Sequence, residues 1–264
     1  MTEAILAVPN GHLAWSSGGT GAPVVLVHGF SFDRSMWDQQ VATFESRFQV
    51  VRYDVRGFGA SSRPDGPYDH VDDLEALLAV ATAGAPLLVG LSLGANIVLE
   101  FVARHLGKAR GMVLASSGLP GHAWTSERPP EAIRAYALEH GVEAARARWI
   151  DDPIYQSLRQ RPPASLAFET MVSRYDGWHW THDDPRRAPE NLASRLPRID
   201  TPALIISGDH DHIGYREIAR RLAAELPRAQ LLRFPGAGHL INMEEPDRFS
   251  AAVIDFEANL ANEP

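Results

Sequence analysis

Short runs of apolar residues alternate with longer stretches of helical spacing over the first part of the chain. Ala4–Val8 and Leu13–Ser16 read as two antiparallel strands joined at the turn sequence Pro9-Asn10-Gly11. Val24–Val27 is a short, wholly apolar run of the kind buried on both faces of a sheet, and Gln49–Val55, Leu87–Leu91 and Met112–Ala115 read as further strands. Between them, Trp37–Phe48, Val71–Ala83 and Ala95–Leu106 carry apolar residues at helical spacing. Such alternation predicts an α/β fold, a mostly parallel sheet with helices on both faces.

The rhythm breaks after Ser117. From Gly118 to Pro197 no strand is predicted; prolines recur, and helical patches stand at Pro130–His140 and Val142–Ile150. The strand rhythm resumes at Ala203–Ser207, followed by a helix at Tyr215–Leu226, a strand at Gln230–Phe234 and a helix at Pro246–Leu260. The domain reading is therefore a core of residues 1–117 and 198–264 interrupted by a helical insertion at 118–197. A chain of 264 residues suits one α/β domain with such an insertion.

Composition narrows the function classes. The formal net charge of −8, with no long run of one sign, argues against nucleic acid and anionic membranes as partners. No run of eighteen apolar residues predicts a membrane span, and the N-terminus lacks a basic region followed by an apolar core. The chain has no cysteine, which excludes a disulfide framework, a thiol nucleophile and a zinc–thiolate site and fits a cytoplasmic setting. Nothing in the sequence sets an oligomeric state.

The most informative chemistry lies at Gly90-Leu91-Ser92-Leu93-Gly94. This G-x-S-x-G, between an apolar run and a helical one, reads as a strand-to-helix elbow that exposes the Ser92 hydroxyl at a helix N-terminus. Without partners, Ser92 would be only a helix cap. A serine hydroxyl needs a base to take its proton and a third group to hold the base. The base candidate is His239, in a Gly-rich loop just past the last predicted strand. The acid candidate is Asp211, also just past a strand, with Asp209 as its competitor two residues away. Both loops belong at the carboxyl edge of the sheet, where open α/β folds place ligands. Oxyanion donors are expected from the N–H of Leu93 and, beyond the Val24–Val27 strand, the N–H of Phe30. The run Asp209-His210-Asp211-His212 holds metal-ligand types, but adjacent residues on one short loop rarely converge on an ion, so no metal is predicted.

With these residues in hand, the chain resembles the α/β-hydrolase superfamily over nearly its whole length. His28-Gly29-Phe30 followed by Trp37, the run Asp54-Val55-Arg56-Gly57-Phe58-Gly59-Ala60-Ser61, Gly208 through Asp211, and Gly238-His239 followed by Glu245-Pro246 and Phe249 are similar to its spaced motifs. The resemblance implies an eight-stranded sheet with a helical cap inserted after the sixth strand, and a Ser92–His239–Asp211 triad that needs no metal or organic cofactor. Two positions depart from the family pattern: Ala95 replaces a frequent glycine, and Ile213-Gly214 stand where proline is common. Serine rather than aspartate at 92 sets aside the haloalkane dehalogenases and epoxide hydrolases. The loop Ala115–Gly118 offers no carboxylate as an alternative acid.

The function expected is hydrolysis of a carboxylic ester or lactone with a hydrophobic portion. Trp124, Trp149, Trp178 and Trp180, in the insertion, are candidates for lining an apolar pocket that faces Ser92. The alternatives are C–C bond hydrolysis of a vinylogous diketone, with Arg56, Arg174 or Arg186 as a carboxylate clamp, and a slow-turnover ligand-binding protein. For Arg56 itself, a structural place in the Asp54–Ser61 loop is expected.

Overall fold

The computed structural model describes residues 1–261. Its strands and helices run β1 (Thr2–Val8), β2 (Gly11–Gly18), β3 (Pro23–Val27), α1 (Asp38–Phe44), β4 (Gln49–Tyr53), α2 (His70–Ala81), β5 (Leu87–Leu91), α3 (Leu93–Arg104) and β6 (Gly111–Ala115). Five helices follow before the next strand: α4 (Pro129–His140), α5 (Val142–Ile150), α6 (Gln156–Arg159), α7 (Pro162–Arg174) and α8 (Trp178–Thr181). The chain then completes the sheet with β7 (Ala203–Gly208), α9 (Ile213–Glu225), β8 (Ala229–Phe234), α10 (Ile241–Glu244) and α11 (Pro246–Ala261).

The eight strands form one sheet in the order β1-β2-β4-β3-β5-β6-β7-β8. β1–β2 and β2–β4 pair antiparallel, and every other pair is parallel. β3, β5, β6 and β7 are buried at every position, which is why they read as continuous apolar runs rather than alternating ones. From β3 the chain steps to β4 on one side, and β4 leads through α2 to β5 on the other. The crevice beyond the carboxyl ends of β3 and β5 is therefore the topological switch point of the sheet.

Of the boundaries that shift from those the spacing predicts, three do so through an identifiable hydrogen bond. The stretch expected as one helix from Trp37 opens as a 3-10 turn at Arg34–Trp37, capped by the Asp33 carboxylate accepting from Ser35 N–H. β4 ends at Tyr53 because the Val55 N–H leaves the sheet to donate to His28 Nε2 at 2.9 Å. α2 starts at His70, where the Asp69 side chain accepts from Val71 N–H at 2.8 Å.

Distant motif positions meet as packing pairs. The Trp37 ring lies 5.9 Å from that of Phe249, both fully buried. Arg56 is buried with Asp73 in a two-point ion pair (Nε–Oδ2 2.8 Å, Nη2–Oδ1 2.5 Å), and its Nη1 donates to the Asn10 carbonyl. That is the structural place expected for it. The segment between β6 and β7 touches the sheet domain at an isolated parallel bridge, Tyr68 to Arg186, with Arg187 N–H donating to the Tyr68 carbonyl.

Candidate active site

Ser92 stands between β5 and α3 at φ 55°, ψ −111°, a conformation that L-residues avoid. Its own N–H bonds the Ala115 carbonyl of β6, and its carbonyl accepts from Asn96 N–H, so the turn is fixed from both ends. The two glycines of the motif make the turn possible. A Cβ on Gly90 would collide with the backbone of Gly94, and a Cβ on Gly94 would collide with the Val27 carbonyl at the end of β3. Leu93 is the first residue of α3, so its N–H has no carbonyl to bond within the helix.

The loop after β3 is pinned by two side chains. His28, fully buried, donates from Nδ1 to the Gly29 carbonyl at 2.7 Å and accepts Val55 N–H at Nε2. That pattern requires a neutral ring, and burial holds its pKa below the usual histidine value. Ser31, at φ 65°, bonds the Phe30 carbonyl through its hydroxyl and accepts the Trp149 indole N–H at 2.7 Å. A tryptophan of the insertion thus holds the backbone of the Phe30 loop.

His239 and Asp211 meet. His239 Nδ1 donates to Asp211 Oδ1 at 2.9 Å, and both residues are buried. The same oxygen accepts His212 N–H at 2.7 Å. Asp209 turns the other way and pairs with Arg233 at 2.7 Å. The loops are locked together: His210 N–H bonds the Ala237 carbonyl, Ser116 Oγ bonds the His239 carbonyl, and Gly238 N–H bonds the buried Glu244 carboxylate. With Nδ1 donating, the His239 lone pair lies at Nε2, the tautomer a general base needs.

Tyr215, on the first turn of α9, escaped the sequence reading. Its ring centre lies 4.5 Å from that of His239, and it borders the same cavity as Ser92. Burial, and then the Asp211 charge, raise its pKa, so it stays an O–H donor. The departure at Gly214 is explained beside it. The Trp124 ring fills the space a Cβ at Gly214 would need, and it packs 5.1 Å from the Tyr215 ring.

Ser92, Leu93, Phe30 and Tyr215 border one cavity of about 420 Å³. Its remaining walls come from Phe58, Asn96, His70 and residues of the segment between β6 and β7, among them Arg128, His179 and Arg186. Of the four tryptophans proposed as pocket lining, none borders this cavity, but Trp124 lines the adjoining one, which shares Leu93, Asn96, Arg128 and Arg186 with it. Trp149 is 2% exposed and engaged with Ser31; Trp180 is fully buried against Trp149 and Tyr175. Trp178 stacks on His182, and Trp124 packs on Gly214 and Tyr215 beneath the Arg128 guanidinium. The cavity is accordingly more polar than an aromatic-lined pocket. Of the three arginines considered as a clamp, Arg56 is tied to Asp73 and Arg174 to Asp33, while Arg186 borders the cavity. No sequence period marks Arg186 or His179, because their chain segment reaches the site only by tertiary folding.

Among the described residues no group of three or more His, Asp or Glu side chains is arranged to hold a metal ion, and no helix is long and apolar enough to cross a membrane.

The fold and sequence have known relatives. Residues 24–252 match the model of the alpha/beta hydrolase family. The chain is 27% identical over 225 residues to 3-oxoadipate enol-lactonase 2 of Acinetobacter baylyi, covering 83% of this chain and 82% of that one. It is 26% identical over 258 residues to the non-heme chloroperoxidase CPO-A1 of Kitasatospora aureofaciens, covering 90% and 93%. Among solved structures it is similar to a thermophilic esterase from Thermogutta terrifontis, with TM-score 0.84, 25% identity, and 98% and 99% of the two chains covered.

Proposed function

The chain belongs to the alpha/beta hydrolase family, and from that premise we propose that it hydrolyses a carboxylic ester or lactone through an acyl-enzyme on Ser92. The observation that carries this reading is the 2.9 Å bond between His239 Nδ1 and Asp211 at the same sheet edge as the strained Ser92 turn. His239 Nε2 takes the hydroxyl proton as Ser92 Oγ bonds the carbonyl carbon. The Leu93 and Phe30 N–H groups receive the oxyanion, each worth on the order of 3 kcal/mol to the transition state. As the carbon–oxygen bond breaks, His239 returns the proton to the leaving alkoxide. It then takes a proton from water, whose oxygen attacks the acyl carbon, and gives it back to Ser92 Oγ. Asp211 keeps Nδ1 protonated and balances the imidazolium. Residues 118–197 act as a cap over this edge. Names of similar proteins support the class: an enol-lactonase and an esterase both act on ester bonds.

The test is steady-state and burst kinetics on p-nitrophenyl esters. Ser92→Ala is expected to abolish both phases with an unchanged circular dichroism spectrum, and Asp211→Asn to lower kcat by about 10⁴-fold through the wrong tautomer. A Ser92→Ala protein that still shows a burst would end this assignment.

A further inference from the structure

The wall of the Ser92 cavity carries three arginines. Arg128 pairs with Glu131 at 2.6 Å and Arg134 with Asp183 at 2.7 Å. Arg186 alone of the three has no ion pair among the described residues. The neighbouring Asp184 makes no ion pair with it: that carboxylate is exposed, and accepts the Tyr68 hydroxyl at 3.3 Å and the backbone N–H of Arg186 rather than its guanidinium.

The histidines beside it bring no charge to this wall. The Tyr175 phenol oxygen accepts the His179 backbone N–H at 2.9 Å and lies 3.0 Å from His179 Nδ1. The ring is held flat on Phe58, 4.3 Å between centres at 10°, with Nε2 closed off from solvent beside Gly57. Burial, ahead of the surrounding charges, brings the His179 pKa down to about 4 and likewise lowers that of His70, so both rings are uncharged at neutral pH.

We infer that the guanidinium of Arg186, which borders the cavity, receives a carboxylate of the substrate, so that the ester or lactone attacked by Ser92 carries a free carboxylate in its own body. A planar anion with two oxygens matches the guanidinium fork. The cavity, about 420 Å³, lies at the lower end of the roughly 300–1,000 Å³ typical of ligand pockets, so both groups belong to one small molecule, such as a half-ester of a short dicarboxylic acid. The anion site comes from the segment between β6 and β7, and the reacting groups from the sheet edge. The inference rests on the ester-hydrolase reading for its chemistry, and on the cavity wall for its selectivity.

The experiment compares kcat/KM for p-nitrophenyl hemiglutarate with that for p-nitrophenyl valerate, its uncharged analogue, in the native protein, Arg186→Gln and Arg186→Lys. The ratio of the two is the readout, since general damage lowers both. The native protein is expected to favour the hemiglutarate, Arg186→Gln to lower the ratio by about 10- to 100-fold, and Arg186→Lys to restore part of it. A ratio unmoved by Arg186→Gln overturns the inference. A second arm needs no turnover: glutarate binding to the Ser92→Ala protein, measured by calorimetry, should weaken about tenfold or more when Arg186→Gln is added. If neither ester is hydrolysed yet glutarate binds through Arg186, the ester reading fails and the anion site stands. Absent or Arg186-independent glutarate binding removes the anion site whatever the esters show.

Discussion

At the scale of single residues, the oxyanion loop shows how one side chain far along the chain serves a distant backbone atom. Phe30 lies in a loop whose next residue, Ser31, holds a left-handed backbone. The hydroxyl that steadies that turn is itself held by the indole N–H of Trp149, 118 residues on. Trp149→Phe keeps a ring in the core but removes the donor. A poorly held oxyanion donor matters only when charge develops on the substrate oxygen. The expected result is a kcat lowered about tenfold, the equivalent of one hydrogen bond, with KM within about twofold of the native value. Stopped-flow and steady-state rates on one ester measure both constants; a raised KM with native kcat would place Trp149 in substrate binding instead.

At the scale of elements, the buried Arg56–Asp73 pair joins the loop after β4 to the first turn of α2. Burial outweighs the Arg56 charge and leaves the Asp73 pKa above its usual value, so the pair is a positioning device more than a source of stability. Asp73→Ala strands the guanidinium in the core and should cost about 3–5 kcal/mol in urea unfolding, whereas Arg56→Met with Asp73→Leu should recover most of that loss. A loss under about 1 kcal/mol for Asp73→Ala would mean that water reaches the charge. Elements of this kind were half legible in the sequence. β3, β5, β6 and β7 showed themselves because burial on both faces demands unbroken apolar runs. The meeting of His239 with Asp211 followed from loops that end neighbouring strands. The cavity wall did not follow: Arg186 and Tyr215 are ordinary in their local sequence, and only packing turns them toward Ser92. Aromatic content pointed to tryptophans as lining; Trp149 and Trp180 instead serve as struts for the Phe30 loop and one another, while Trp124 lines the adjoining cavity.

At the scale of the whole molecule, buried neutral histidines tie stability to pH. Burial lowers the pKa of His28, His70 and His179, the last to about 4. In the unfolded chain each titrates near 6.5. Below that value the unfolded state therefore binds protons that the native state refuses, and stability falls with pH until each folded pKa is reached. Each group contributes up to about 1.4 kcal/mol per pH unit in that window, so the three together approach 4 kcal/mol per unit. Against a total stability of about 5–15 kcal/mol, a fall of one or two units is severe. Asp73 and Glu100, whose pKa values burial raises, work in the opposite sense, since the native state takes up their protons first as pH falls. Three buried histidines outnumber these two carboxylates, so a net loss is expected as pH falls below 6.5. Calorimetric Tm values at pH 7.5, 6.5 and 5.5 should decline, most steeply over the last step. His179→Phe is expected to be less stable at pH 7.5, having lost the Tyr175 bond, yet to show a slope shallower by about a third. A Tm that holds steady down to pH 5.5 would show that these rings accept protons within the fold.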